Sequence, residues 1–218
     1  MTGTAEMVTG GGEAGAFLVV AAASDGSKVL ASVDAAAAQR EAVPSLGFRA
    51  AAPARVRFDA SAATVIARGV DAEAAIVRAE LANWIGGAAF AVGCALGASE
   101  HARRHASERY AFGKPLLGQQ AVGHKLVESR RKTEGARHLV FHAARLADDG
   151  EAGARDAAML AKLSAIDAAV YSSDEAIQIH GGYGYTVEYH VERHYRDAKT
   201  LGVLDGGTDA LRNALLPA

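Results

Sequence analysis

The feature that most restricts the fold is a series of helix-length segments that runs from about Asp71 to the end of the chain. Apolar residues recur there at helical spacing and predict helices at 72–110, 119–148, 153–180, 188–200 and 207–216. Short breaks rich in Gly, Asp and Pro separate them. Gly113-Lys114-Pro115, for example, ends the first helix, because the residue before a proline is pushed out of the helical region. Long helices joined by short loops favour an up-and-down helical bundle.

The first 70 residues are predicted to form a small antiparallel sheet. Apolar runs at 16–24 and 28–35 flank Asp25-Gly26, a dipeptide typical of a tight hairpin turn. Residues 54–60 alternate, with Val56 and Phe58 on one face, as in a half-buried strand. We interpret Gly10-Gly11-Gly12 as a flexible leader. The expected fold class is α+β and mainly α, with a partial β domain at 1–70 and a helical bundle at 71–218.

Composition and charge argue against several classes of protein. The chain of 218 residues has a net charge of -2 and a pI near 6.4, which disfavours a nucleic-acid surface. The single cysteine, Cys94, cannot form an internal disulfide, and no secretory signal is evident, so we expect a cytoplasmic protein. Residues 81–99 carry no charge and are long enough to span a membrane, but their Gly and Ala content favours close helix packing. We expect no membrane partner and keep a membrane-attached helical protein as a third hypothesis.

Two motifs in the helical half carry a family resemblance. Residues 108–115 read ERYAFGKP and are followed by QQAV at 119–122. Residues 178–186 read QIHGGYGYT and are followed by VERHYRDAK at 191–199. In this order and at this separation, the motifs resemble the signatures of the acyl-CoA dehydrogenase family. The resemblance covers about 72–218 and implies the C-terminal helical bundle of that family. The first 70 residues are similar, more weakly, to the second half of its middle β domain, and its N-terminal helical domain has no counterpart here.

The resemblance implies that the bundle binds FAD. Arginine offers a planar fork of donors that suits a diphosphate, and glycine lets a ligand approach the main chain. In the family, the matching Arg and Gln contact the diphosphate region, the matching Phe packs nearby, and the Gln-Ile-His-Gly-Gly segment reaches the cofactor of a neighbouring subunit. The implied cofactor-binding residues are Arg109, Phe112, Gln120, Gln178, Ile179, His180, Gly181, Gly182 and Thr208. The resemblance also implies a homo- or hetero-oligomer.

The general base that the family requires is absent from its usual place. The family removes an α-proton from an acyl-CoA substrate with a glutamate that precedes a Gly-Thr pair, and here that position is Gly206. The alternative position, on the first long helix, is Asn83, followed by Trp84 where the family usually has an Arg that contacts CoA. Asp205, Glu80 or a partner subunit could supply the base, so the catalytic residues stay open.

Two histidine pairs raise the question of a metal. His101 and His105, and His138 and His142, are spaced i, i+4 and so share a helix face. Neither pair has an evident third ligand, and we expect solvated helix faces with no metal. Arg196-Asp197 is expected to brace helix packing.

The leading hypothesis is an acyl-CoA dehydrogenase-like flavoprotein that desaturates an acyl-CoA thioester, in fatty acid or steroid side-chain metabolism, as a subunit of an oligomer. The alternative is a catalytically silent structural partner that binds no flavin. Retention of Arg109, Gln120 and the Gln178–Gly182 segment favours the first hypothesis, and loss of the base favours the second.

Overall fold

The computed structural model of the chain describes residues 1–216, apart from the side chain of Asp205. Backbone contacts divide it into two compact units, residues 1–82 and a second unit that begins at Asn83. The border between the units lies inside the first long helix, α1 (Gly69–Glu108). The start of α1 is where the sequence pattern places the change from strand to helix.

Residues 1–82 contain six strands in two antiparallel sheets. Their bounds are β1 Gly3–Val8, β2 Ala16–Ala22, β3 Lys28–Asp34, β4 Ala38–Ala42, β5 Ala54–Phe58 and β6 Thr64–Arg68. One sheet has the strand order β1-β5-β4 and the other β2-β3-β6. Phe17 of β2 and Phe58 of β5 meet edge to face, with 5.8 Å between ring centroids, and Val33 and Val56 are fully buried in the same core. Apolar side chains of the two sheets therefore share one small core.

The predicted hairpin and the predicted alternating strand are both confirmed. β2 and β3 pair from Ala16↔Asp34 to Ala22↔Lys28, and Gly26 in the connecting turn has a φ of 82°. In β5, Val56 and Phe58 are buried while the two arginines of the strand are exposed. This outcome follows from the period-2 alternation, which places alternate side chains on one face.

The interpretation of Gly10-Gly11-Gly12 as a flexible leader is wrong. The Gly10 N–H donates to the Ala51 carbonyl at 2.6 Å, and the Gly12 N–H donates to the Ala52 carbonyl at 2.9 Å. The glycines therefore form an ordered turn after β1. Their partners lie about forty residues later in the chain, where a local reading of glycine content cannot detect them.

The described part of the second half contains the predicted helices. After α1 come α2 Gln120–Asp148, α3 Ala154–His180, α4 Val191–Leu201 and α5 Gly207–Ala214. A short hairpin, β7 Tyr110–Ala111 with β8 Lys114–Pro115, joins α1 to α2. The predicted fold class, α+β with a dominant helical bundle, is confirmed. Pro217, which the sequence predicts to mark the end of the last helix, lies outside the described residues.

Small side chains allow α1 to pack closely within the second unit. Six alanines spaced three or four residues apart are at most 1% exposed: Ala88, Ala91, Ala95, Ala98, Ala102 and Ala106. Among the described residues, α1 is the one helix long and apolar enough to cross a membrane, a test that core helices of bundles also pass. The buried alanine stripe is what a bundle helix shows, since one face of it must contact neighbouring helices.

Candidate functional site

The connection between α1 and α2 projects an aromatic ring into solvent. Tyr110–Ala111 pairs with Lys114–Pro115, so Phe112 and Gly113 form the two-residue turn. Both have positive φ, 53° and 78°, as a type I′ turn requires. Gly113 adopts this conformation readily, whereas a bulky residue such as Phe112 is strained there. Because the Phe112 side chain is 97% exposed, it is available to a ligand or a second chain.

Arg109 and Gln120 flank this hairpin, and both side chains are exposed. The Leu116 N–H donates to the Arg109 carbonyl at 2.8 Å and closes the hairpin at its base. The Gln119 side-chain amide donates to the Ala111 carbonyl at 3.4 Å, which leaves Gln120, the first residue of α2, as the exposed member of the Gln-Gln pair. Two donor side chains therefore lie on either side of the Phe112 turn.

The end of α3 offers open main chain. Gln178 is exposed, while Ile179 and His180 are only 7% and 6% exposed and pack into the bundle. Gly181 has φ 62° and ψ −138°, a conformation that glycine alone adopts readily. A Cβ placed on Gly182 would have no atom within 4 Å. Two buried side chains thus anchor the segment, and the two glycines after them can be approached closely by a ligand.

The sequence reasoning missed Gly184, which this segment also requires. A Cβ on Gly184 would lie 2.5 Å from the Ile177 carbonyl oxygen and 2.9 Å from the Ile177 Cα. The turn Gly181–Tyr185 therefore rests directly on the main chain of the last turn of α3. The glycine-rich string that contains Gly184 was the available signal.

A stacked pair of imidazoles joins the two motifs at one end of the bundle. The ring centroid of His105, near the end of α1, lies 4.2 Å from the ring centroid of His180, with 23° between the ring planes. The Arg109 N–H donates to the His105 carbonyl at 2.9 Å. A shared apolar core lies at the same end: Ala98, Ala102, Ala106, Ala176, Ile179 and Val191, with Leu116 and Val122 packed against it. We name the residues gathered here the motif end: Arg109, Phe112, Gln120 and Gln178–Gly182.

The expectation that His101 and His105 form a solvated helix face is wrong. Both are half-buried, and besides the contact of His105 with His180, the His101 ring lies 6.0 Å from that of His190 and 5.6 Å from that of His194. These partners come from α4 and the residue before it, so the spacing within α1 could not reveal them. The second predicted pair, on α2, is exposed as expected. Among the described side chains, which exclude that of Asp205, no group of three or more His, Cys, Asp or Glu residues is arranged to hold a metal ion.

Burial favours the neutral form of the two stacked imidazoles, His105 and His180, by lowering the pKa of each. It lowers the pKa of His105, and the nearby His180 and Arg109 lower it further, while Glu108 offsets part of the effect. Burial also lowers the pKa of His180, against the hydrogen bond to the Ala176 carbonyl, which raises it. The neutral form of each ring is therefore the one that suits this end of the bundle.

Cys94 is a buried thiol rather than a nucleophile. Its Sγ–H donates to the His194 carbonyl at 3.2 Å. Burial, together with the negative charge of Asp197, raises the pKa of the thiol to about 12. A thiol this far from ionisation has little reactive thiolate.

Thr208 is not brought to the motif end. Its side-chain oxygen accepts from the Arg212 guanidinium at 3.1 Å, and its N–H donates to the Gly202 carbonyl. It lines a depression of about 640 Å³ that runs along α3 from Ile166 to Asp174. Because Asp174 lies about one turn before Gln178, Thr208 lies ahead of the motif end along α3 instead of within it.

Two consecutive glycines occupy the loop that was expected to carry the base. Gly206 and Gly207 have φ of 85° and 80°, and a Cβ on Gly206 would lie 3.2 Å from the Ala210 Cβ. The side chain of Asp205 lies outside the described part of the chain. Asn83 is exposed and carries no charge, and Glu80 belongs to the first unit.

Trp84 has a packing role in the bundle. It is 7% exposed, and the Arg155 guanidinium lies 5.4 Å from the centre of its ring. The tryptophan that replaces the expected CoA-contacting arginine is thus covered by an arginine from α3.

Arg196 forms an ion pair along α4. Its guanidinium donates to both carboxylate oxygens of Glu192, one turn earlier on the helix, at 2.6 and 3.1 Å.

Comparison with known proteins identifies the class to which this bundle belongs. Residues 83–217, more than half of the chain, match the family model of the acyl-CoA dehydrogenase C-terminal domain. The chain therefore belongs to the acyl-CoA dehydrogenase family.

Particular relatives agree with this assignment. The chain is 44% identical over 128 residues to an acyl-CoA dehydrogenase of Bacillus subtilis, which covers 59% of this chain and 34% of the relative. It is 42% identical over 128 residues to the human mitochondrial short-chain specific acyl-CoA dehydrogenase, covering 59% of this chain and 31% of that protein. The chain thus spans about a third of the curated relatives that it matches.

Solved structures resemble both units of the chain. Butyryl-CoA dehydrogenase from Megasphaera elsdenii gives a TM-score of 0.88 at 29% identity, covering 99% of this chain and 60% of that chain. A structure described as an electron transferring flavoprotein of Acidaminococcus fermentans gives a TM-score of 0.90 at 29% identity, covering 100% of this chain and 60% of that one. The strand-rich unit, like the helical one, therefore has the fold found in these proteins.

Proposed function

We propose that this chain is an FAD-binding subunit of an acyl-CoA dehydrogenase-type oxidoreductase, whose motif end holds the diphosphate and adenosine parts of the cofactor. The observation that carries the proposal is the convergence of Arg109, Gln120 and the two open glycines at one end of the bundle. These groups come from three helix ends that are far apart in sequence. Their gathering is difficult to explain as a packing requirement, because the arginine, the glutamine and the glycines are all exposed.

The residues present fit the cofactor chemically. A guanidinium and a side-chain amide supply donors for phosphate oxygens, and the main chain at Gly181–Gly182 admits a ligand at close range. The exposed Phe112 ring supplies an apolar surface for a flat group. FAD would supply the acceptor for the hydride that leaves the acyl-CoA substrate.

We propose further that the working form is an oligomer. Thr208 lies ahead of the motif end along α3, and Arg109, Gln120 and the two glycines are exposed, so a dinucleotide bound by one chain alone would be left open to solvent. A second copy, or a related chain, would cover it. The exposed Phe112 ring is consistent with such a contact, since large apolar side chains in solvent often mark interaction sites.

Catalysis by the chain alone is not part of the proposal. Gly206 removes a carboxylate from the position where the family places its base, and exposed Asn83 cannot accept a proton at neutral pH. These features favour the second candidate function, a structural partner subunit that binds no flavin. A visible absorption spectrum of the purified chain, alone and with a co-expressed neighbouring-gene product, separates the two: a flavin band supports the first function, and its absence in both samples supports the second.

The residue assignment is tested with Arg109→Ala and a matched control, Arg103→Ala. Arg103 lies on α1, six residues before Arg109, but is paired with Glu100 on the surface. Loss of a charge-assisted contact is worth about 1.5–3 kcal/mol, so Arg109→Ala should weaken FAD binding by about 10- to 150-fold. Flavin fluorescence after gel filtration measures retention. Equal retention in the two variants would contradict the role assigned to Arg109.

A further inference from the structure

The contact between α1 and the end of α3 is made by two imidazoles, and their geometry defines which protons they carry. The Nδ1 of His180 lies 2.7 Å from the Ala176 carbonyl, which can only accept, so Nδ1–H donates and the neutral ring leaves Nε2 unprotonated. The Tyr189 ring covers the edges of the pair, 6.2 Å from His105 and 5.5 Å from His180. The rings are therefore held by contacts on α1, on α3 and on the segment before α4.

This contact sets the position of the cofactor segment. The chain leaves α3 directly after His180, because Gly181 takes a conformation outside the helical region. The position of the His180 ring therefore determines where the main chain of Gly181 and Gly182 lies. Arg109 lies one turn beyond His105, so the same stack also sets the spacing between Arg109 and the glycines.

We propose that His105 is a positioning residue for Gln178–Gly182: its neutral ring holds the end of α3 beside Arg109, and protonation of the stack loosens this segment and weakens cofactor retention in acid. The statement about cofactor retention rests on the proposed function. The statement about the segment concerns only the residues of this chain and can be measured without a flavin.

The charged groups around the stack carry both signs. Arg109 directly follows α1, and Lys125 of α2 is paired with Glu175 of α3. The other titratable groups that face the stack and its neighbours are Glu108 and His101 on α1, and Tyr183, Tyr189, His190, His194 and Asp197 on the segment through α4. Two protonated rings 4.2 Å apart would repel each other, since like charges at this distance disfavour ionisation.

The sign of the pH effect follows from the direction of these shifts. The pKa of His105 and that of His180 are both lowered from the ordinary value of 6.5 by burial. The arrangement in which His105 and His180 are stacked therefore binds fewer protons than the loosened arrangement. Its stabilisation is complete above about pH 6.5 and is lost as the pH falls through the lowered values.

Hydrogen–deuterium exchange of the full chain tests the proposal at about pH 7.5 and about pH 5.5, on either side of the ordinary imidazole pKa. After correction for intrinsic rates, protection of residues 177–186 should fall in acid more than protection of the α2 interior. His105→Phe keeps a ring but removes one of the two titrating groups, so the loss of protection in acid should be smaller than in the parent. His105→Ala should lose about 2- to 10-fold protection already at the higher pH, the range that an aromatic pair contributes. His138→Phe, on the exposed face of α2, should behave as the parent does.

The outcomes separate this inference from the proposed function. Protection of 177–186 that does not change with pH in the parent, or a His105→Phe variant that keeps the parent's pH response, would overturn the positioning role. FAD retention measured on the same samples should follow the exchange profile. If exchange behaves as expected but no variant retains FAD at either pH, the cofactor assignment fails while the positioning of the segment is supported.

Discussion

Replacement of Gly184 by alanine is the sharpest test of how the glycine-rich segment is built. The turn Gly181–Tyr185 lies against the last turn of α3, and Gly184 is buried there. A Cβ at this position would lie 2.5, 2.9 and 3.1 Å from the carbonyl oxygen, the Cα and the carbonyl carbon of Ile177. All three are main-chain atoms of a helix, so no side-chain rotation can relieve the overlap.

The expected destabilisation can be bounded from general experience with overpacked sites. One extra methyl group in a packed interior costs about 1–3 kcal/mol, and the upper part of this range applies where only backbone can move. Gly182→Ala is the matched control, because a Cβ there meets no atom within 4 Å and its backbone φ is negative. Alanine should therefore be neutral at Gly182, or slightly stabilising through the unfolded chain.

Urea unfolding followed by far-ultraviolet circular dichroism measures both variants against the parent. Gly184→Ala should lower the midpoint by an amount equivalent to about 2–3 kcal/mol, and Gly182→Ala should leave it within about 0.5 kcal/mol. Flavin retention should also fall in Gly184→Ala, because the turn must move off α3. If Gly184→Ala is as stable as Gly182→Ala, the close packing of this turn on Ile177 is wrong, and with it the account of why the segment needs a third glycine.

Two further predictions concern assembly and catalysis. The chain with FAD should be a dimer or larger at micromolar concentration, because the motif end and Thr208 lie apart on one bundle; a monomer by light scattering would contradict this. The lone chain should not desaturate acyl-CoA substrates in dye-reduction assays, since a missing general base typically costs about 100- to 10,000-fold in rate. Gly206→Glu should restore activity if the loop is aligned correctly, at a conformational cost of about 1–2 kcal/mol because φ is 85° there. Brisk turnover by the parent, lost in Asp205→Asn, would instead make Asp205 the base.

Local chemistry determined much of what could be predicted from the sequence alone. The helices ended within a few residues of the predicted positions, because glycine, aspartate and proline act on the backbone where they stand. The Asp25-Gly26 turn and the alternation of β5 were equally local signals. The two long motifs carried the family assignment, since they preserve both residue identity and separation.

The tertiary structure decided which side chains meet. His105 and His180 are 75 positions apart, and their stack depends on how α1 and α3 align at one end of the bundle. Trp84, which stands where the family usually has a CoA-contacting arginine, lies under Arg155, and Thr208 lies beside α3 ahead of the motif end. Helical spacing defines which residues share a face, but not what that face contacts, because contacts between helices depend on packing between distant segments. The helices and strands of this protein could therefore be predicted from short-range patterns, whereas the stack of His105 on His180 and the position of Thr208 outside the motif end followed only from the packed bundle.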